Sequence, residues 1–162
     1  MAARATDAET RLMRDDHTAI RLWLRMLATN RLVETRTRRL LQERYATTLP
    51  RFDLMAQLER APKGLKMGEL SRRMMVTGGN VTGITDLLEK EGLVERAADP
   101  ADRRATLVRL TAAGRRAFTA MAEEHERWIV ESFRALSGRE MAKMAALLAR
   151  LKTHVRSLED QS

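Results

Sequence analysis

The chain has 162 residues, 44% of them hydrophobic, which suits one domain with a packed core, or a small domain carrying a helical extension, rather than two independent domains. Thirty Lys and Arg against 22 Asp and Glu give a formal charge of +8, the balance of a protein that meets polyanions: nucleic acid first, an anionic membrane surface second. With no cysteine, disulfides, thiolate catalysis, Cys-ligated zinc and thiol redox sensing are excluded.

No segment approaches the roughly 18 apolar residues that span a bilayer, and the N-terminus "MAARATDAETRLMRDD" lacks an apolar signal core. The expectation is a soluble, cytoplasmic protein without a membrane partner, whose polar residues 1–15 are disordered. From Asp16 to about Ala46 there is no Gly or Pro, and Ile20, Trp23, Leu24, Leu27, Leu32, Leu40 and Leu41 recur near helical spacing. Residues 16–46 therefore read as one long helix. "TTLP" breaks it, and Pro50 suits the first turn of a second helix, Arg51 to about Glu59, with Phe52, Leu54, Met55 and Leu58 inward.

"RAPKGLKM" ends that helix, and Met67 to Met75 predicts a short one with Leu70 and Met74 inward. Thr77 then suits an N-cap, and Val81, Ile84, Leu87 and Leu88 give the inward face of a helix that stops at Gly92. Two strand candidates, "LVERAA" and "ATLVRL", flank "DPADRR", which has the Asp and Pro chemistry of a hairpin loop with two arginines at its tip. The order helix, tight turn, helix, hairpin outlines a winged helix-turn-helix over residues 47–110.

Thr111 caps the next helix, whose apolar side holds Phe118, Met121, Trp128, Ile129 and Phe133, and Ser137 and Gly138 break it. In the last helix Met141, Met144, Leu148, Leu151, Val155 and Leu158 are separated alternately by three and four residues, the seam of a helix packed along a partner. Either another helix of the same chain or a second copy can cover it. A homodimer interface built from residues 16–46 and 111–162 accounts for both long terminal helices together. The fold class is thus mainly α with a small β-wing: a winged helix-turn-helix flanked by N- and C-terminal dimerisation helices.

The second helix of such a motif fits the major groove, and its N-terminal residues reach base edges. Here these are Gly78, Gly79, Asn80, Thr82 and Gly83, preceded by Thr77. Asn80 can pair bidentately with adenine, Thr82 offers a hydroxyl and a methyl, and Thr77 can bond its own helix or a phosphate. The three glycines cost roughly 1 kcal/mol each in a helix, and close packing against DNA or the neighbouring helix would compensate. "TGG" also fits a plain flexible turn. Arg72 and Arg73 on the preceding helix suit phosphate contacts that fix register, and Arg103 and Arg104 suit the DNA edge of the wing.

From about Leu49 to Gly114 the chain resembles the MarR family of transcription regulators, in "GELSRRMMVTGGNVTGITDLLEKEGLVER" followed by "DPADRRATLVRLTAAG". The specific elements are Asp102 and Arg104 of the wing, then Leu110, Thr111 and Gly114. The resemblance implies a homodimer, triangular in outline, with two lobes in successive major grooves of a pseudo-palindromic operator and a wing arginine at the minor groove. It also implies repression relieved when a small aromatic ligand binds between the dimer helices and the DNA-binding lobe. By the family pattern Asp102 is spaced to hold Arg104. Two departures stand out: Gly83 and Leu87 occupy positions where the family often has a basic residue, and cysteine-based peroxide sensing is absent.

Arg31, Arg36, Arg38, Arg39, Arg44 and Arg51 face only Glu34 and Glu43 in sequence. In a family where this helix borders the ligand cleft, such density implies an anionic effector, an aromatic acid or its coenzyme A thioester, as in members controlling aromatic-acid catabolism. Trp23, Arg36, Arg39, Tyr45 and Arg51 are the candidate ligand contacts. A solvated helix face is the competing account of the same arginines. No cofactor or metal site is expected, since His17, His125 and His154 are scattered, and no catalytic motif marks an enzyme. The expected partners are double-stranded DNA, a second copy and the effector. The competing function is a winged-helix module for protein contact or sequence-independent nucleic-acid binding.

Overall fold

In a computed structural model the described residues are 5–75 and 77–160, with the side chains of residues 5–16 and of Arg103 outside the description. Helix α1 runs Ala5–Tyr45, α2 Leu49–Glu59, strand β1 Leu65–Lys66, α3 Met67–Met74, α4 Gly78–Lys90, β2 Val94–Asp99, β3 Asp102–Leu110, α5 Ala112–Ser132 and α6 Gly138–Glu159. The chain is mainly α with a small sheet, as its patterning predicts. From Ala5 onward the polar segment expected to be disordered is continuous with α1, and residues 1–4 lie outside the described residues. The chain forms two compact units, the first ending at His125 inside α5 and the second running from Glu126.

The first unit is built on a leucine-rich core. Leu54, Leu58, Leu70 and Leu88 are fully buried, with Val81 and Val108 beside them at 0% exposure. These residues come from α2, α3, α4 and β3, so one small core fixes both helices of the helix-turn-helix and the wing. Leu87, expected inward, is instead 53% exposed. The buried face of α4 is Val81, Ile84, Thr85 and Leu88, because the Thr85 hydroxyl is satisfied by donating to the Val81 carbonyl at 2.8 Å and can be buried in its place.

The sheet has three strands in the order β1-β3-β2, all antiparallel neighbours. The two-residue β1 is too short to show period-two patterning and goes undetected in the sequence. Gly64 precedes it at φ +96°, and a side chain there would sit 2.9 Å from the Val108 carbonyl. Asp99 pairs with Asp102, so the turn is Pro100 and Ala101 alone. Arg103 and Arg104, expected at the hairpin tip, therefore belong to β3. The correction has a simple cause: Asp99 Oδ1 accepts the Ala101 amide at 2.9 Å and closes the turn before the arginines are reached.

The start of α5 shows why "LTAAG" has its spacing. The Thr111 hydroxyl donates to the Gly92 carbonyl at 2.7 Å and accepts the Gly114 amide at 2.9 Å, while the Thr111 amide bonds the Leu93 carbonyl. A Cβ on Gly114 would lie 1.8 Å from that same Leu93 oxygen. Farther along α5, His125 stacks on Phe52 at a centroid distance of 4.8 Å, with Phe118 on the same ring at 5.4 Å.

In the second unit, Ser137 and Glu140 form a reciprocal capping box that starts α6, and these bonds hold the Glu140 carboxyl below its ordinary pKa. No side chain of α6 is buried: Met141, Met144, Leu148, Leu151, Val155 and Leu158 are all 38% exposed or more. An apolar hollow of about 380 Å³ between the end of α5 and α6 is lined by Ile129, Phe133, Leu136, Met141, Met144 and Leu148, among others.

Two outcomes follow from this packing. Gly114→Ala will cost about 3 kcal/mol or more in a urea melt, because the obstructing atom is backbone, whereas Gly68→Ala, where a side chain meets nothing, will be neutral or stabilising by up to about 1 kcal/mol. Burial lowers the His125 pKa from its ordinary 6.5, so as pH falls the unfolded chain takes up this proton first. The contribution is complete above about 6.5 and is lost as pH drops through that value toward the folded one. Melts at pH 7 and pH 5 will show a smaller acid-induced loss in His125→Phe than in the parent chain.

Candidate nucleic-acid interface

Helix α4 buries one face on the core and leaves Gly78, Gly79, Asn80, Thr82, Gly83, Asp86, Leu87 and Lys90 exposed. Among the candidate reading residues, Asn80, Thr82 and the three glycines are thus all accessible. Thr77 takes the N-cap position with extended backbone, but its hydroxyl makes no capping bond. Its carbonyl accepts the Asn80 and Val81 amides at 3.1 and 3.2 Å and does the work of starting the helix. The Thr82 hydroxyl donates to the Gly78 carbonyl at 3.0 Å, which turns its methyl and an oxygen lone pair to the outside. A methyl group at Gly78, Gly79 or Gly83 would meet nothing within 4 Å, so packing against the neighbouring helix is not what these glycines serve.

The turn between the two helices begins at Met75, which caps α3 in the left-handed conformation at φ 54° and is 93% exposed. Arg72 and Arg73 lie exposed in the last turn of α3, where cations also complement the helix dipole. They differ in engagement: Arg73 is held by Glu69 one turn back. On the wing, Arg104 is exposed, and its backbone amide donates to Asp102 Oδ1 at 3.0 Å. Asp102 therefore holds the Arg104 main chain. The Arg103 side chain lies outside the described residues.

Two residues that sequence reasoning passes over organise this surface. Lys66 of β1 places its ammonium 3.3 Å from Asp99 and 3.9 Å from Asp102, bracketing the acidic turn of the wing. The Ala101 amide first, and Lys66 after it, hold the Asp99 carboxyl below its ordinary pKa. Arg96 of β2 reaches across to α4, where its guanidinium bonds both Asp86 and Glu89, and its backbone amide donates to Glu89 at 3.2 Å. These carboxylates, Asp86 first, push the Arg96 pKa up, so the charge is locked on. The signal was present in "DLLEKEGLVER", where two acids one helical turn apart precede an arginine across a glycine turn.

The expected ligand contacts are not gathered in one place. Trp23 is 60% exposed on α1 and lies roughly 30 Å along the helix axis from Tyr45. Arg39 pairs with Glu43 at 3.9 Å in the i,i+4 manner of a solvated face. Tyr45 donates its hydroxyl to the Ala120 carbonyl at 3.1 Å. Arg36 and Arg51 are half-buried, and Arg51 is paired with Glu91. Among the described residues no three His, Asp or Glu side chains come together as a metal site, and no helix is long and apolar enough to cross a membrane.

A helix-turn-helix with its second helix exposed, followed by a charged wing, is the geometry of a DNA-binding regulator, and known proteins bear the same pattern. The sequence profile described as "MarR family" matches residues 47–105. A solved MarR family transcriptional regulator from Silicibacter pomeroyi is 35% identical, with 87% of this chain and 97% of that one covered at a TM-score of 0.75. The chain belongs to the MarR family.

Curated relatives of this MarR-family chain include the uncharacterized HTH-type transcriptional regulator YdgJ of Bacillus subtilis, 30% identical over 67% of this chain and 66% of its own length. The transcriptional activatory protein BadR of Rhodopseudomonas palustris is 32% identical over 65% of this chain and 61% of its own. The chain thus spans a little under two thirds of these two relatives. The family is one of DNA-binding transcription regulators and not of enzymes.

Because Arg96 joins α4 to the wing, its loss will loosen their mutual orientation. Arg96→Ala is expected to weaken duplex binding several-fold in a fluorescence-anisotropy titration, while changing stability by about 1 kcal/mol or less for so accessible a pair. Arg96→Lys, which cannot bridge two carboxylates in a fork, will behave like the alanine variant.

Proposed function

We propose that this MarR-family chain acts as a homodimer that binds a pseudo-palindromic duplex operator and is released from it by an anionic aromatic small molecule or its coenzyme A thioester. The observation that carries the DNA part is α4: an exposed face of small and amide side chains, anchored from below by Val81, Ile84 and Leu88 and from the side by Arg96. Gly78, Gly79, Asn80, Thr82 and Gly83 meet base edges, Thr77, Arg72 and Arg73 hold phosphates, and Arg103 and Arg104 lie along the minor groove. The net charge of +8 supplies the long-range attraction.

Dimerisation is supported by α6, whose regular apolar seam stays at least 38% exposed at every position. Exposed Ile20, Leu24 and Leu32 on α1 support the same reading. An anionic effector is supported by the arginines between positions 31 and 51, above all by Arg51, whose Nε is buried without a hydrogen-bond partner. Ligand in a cleft bordered by α1 would change the separation of two reading helices that must match about 34 Å of duplex.

Selection from random duplexes tests the central claim. A palindrome with half-sites one helical turn apart is expected, with affinity falling roughly a thousandfold or more between about 50 and 200 mM salt. Recovery of no common sequence would identify instead a winged-helix module for protein contact or sequence-independent binding. Addition of aromatic acids and their thioesters to the selected complex then tests release.

A further inference from the structure

The bases that α4 can recognise are restricted by what its exposed face contains. Guanine is read in the major groove by paired donors on its O6 and N7, the work of an arginine or lysine side chain. From Gly78 to Glu89 the helix carries no basic residue, and Lys90 stands about 15 Å along the axis from Asn80. The two acids in this stretch face away from such work, since Asp86 and Glu89 are both bound to Arg96. The Thr82 proton is spent on the Gly78 carbonyl. What remains on the outside, beside an acceptor lone pair of Thr82 that guanine has no major-groove donor to meet, is one amide, Asn80, with the Thr82 methyl and the apolar side chain of Leu87, 53% exposed.

We propose that this recognition helix reads A·T pairs: Asn80 bonds an adenine through N6 and N7, and Leu87, with the Thr82 methyl, packs on thymine C5-methyl groups. The proposal rests on the DNA-binding reading above and narrows it to a base class. Adenine matches an amide because it offers one acceptor and one donor side by side, as the amide does in reverse. Thymine is the base that presents an apolar group in the major groove, so an exposed leucine there gains by covering it. The open space over Gly79 and Gly83 lets the helix backbone approach the base edges closely enough for these short side chains to reach.

The test uses the full chain and duplexes selected from a random pool. Half-sites with A·T pairs under α4 are expected. Replacing the selected thymines by deoxyuridine, which removes only the C5-methyl, should weaken binding about three- to fivefold per covered methyl. In Leu87→Ala this sensitivity should largely vanish, and Leu87→Arg should select guanine at the same step. Asn80→Ala should lose roughly five- to a hundredfold of discrimination for its adenine. Both side chains are exposed, and circular dichroism of each variant should match the parent. A selected palindrome with guanine under α4, or indifference to deoxyuridine, would overturn the inference while leaving operator binding intact. No selected sequence at all would overturn both.

Discussion

The Leu93 peptide fastens four elements at one point. Its amide donates to the Leu88 carbonyl and ends α4, its carbonyl accepts the Thr111 amide at the end of β3, and Gly114 of α5 rests on the same oxygen. The Thr111 hydroxyl, bonded to the neighbouring Gly92 carbonyl, completes the fastening. Helix α4, both long strands of the wing and the helix that leaves the lobe are thus held to a few atoms of backbone. Backbone is the stiffest material available, which is why a glycine is needed exactly where α5 crosses it.

Charge is distributed to match that frame. On the lobe's working side the acids are engaged: Asp86 and Glu89 with Arg96, Asp99 and Asp102 with Lys66, Glu69 with Arg73. Each pair has at least one accessible partner and contributes little stability. Their effect is on the field: a carboxylate matched by a cation repels a polyanion less, so the positive charge of α3 and β3 is less opposed on this side of the lobe. Arg96 has the further effect of tying α4 to β2 through Asp86 and Glu89.

Much of this organisation was legible in the sequence. The core positions of α2 announced themselves because Phe52, Met55 and Leu58 recur every three residues beside Leu54, and all four are buried. The glycine at 114 was visible through its distance from Thr111. Leu87 was not, because hydropathy alone placed it beside Leu88, and only the burial of Thr85 by its bond to Val81 rotates α4 to turn it out. The arginine pair was misplaced by two residues, since the Asx-type turn at Asp99 consumes fewer positions than "DPADRR" suggests. Four of the five expected ligand contacts, all but Arg51, come from one long helix, where residues distant in sequence stay distant in space: within one chain Trp23 and Tyr45 are held apart because a helix advances about 1.5 Å with every residue.

The sequence by itself determined the element order, the family motifs and the apolar seams, because these depend on local periodicity and spacing that survive without any fold. Tertiary structure decided which side of each element works. It exposed Leu87 and the glycines of α4, placed Lys66 under the wing through a two-residue strand, and gave Arg96 its two acids. Such assignments depend on contacts between residues far apart in the chain, whose geometry is set only when the core closes.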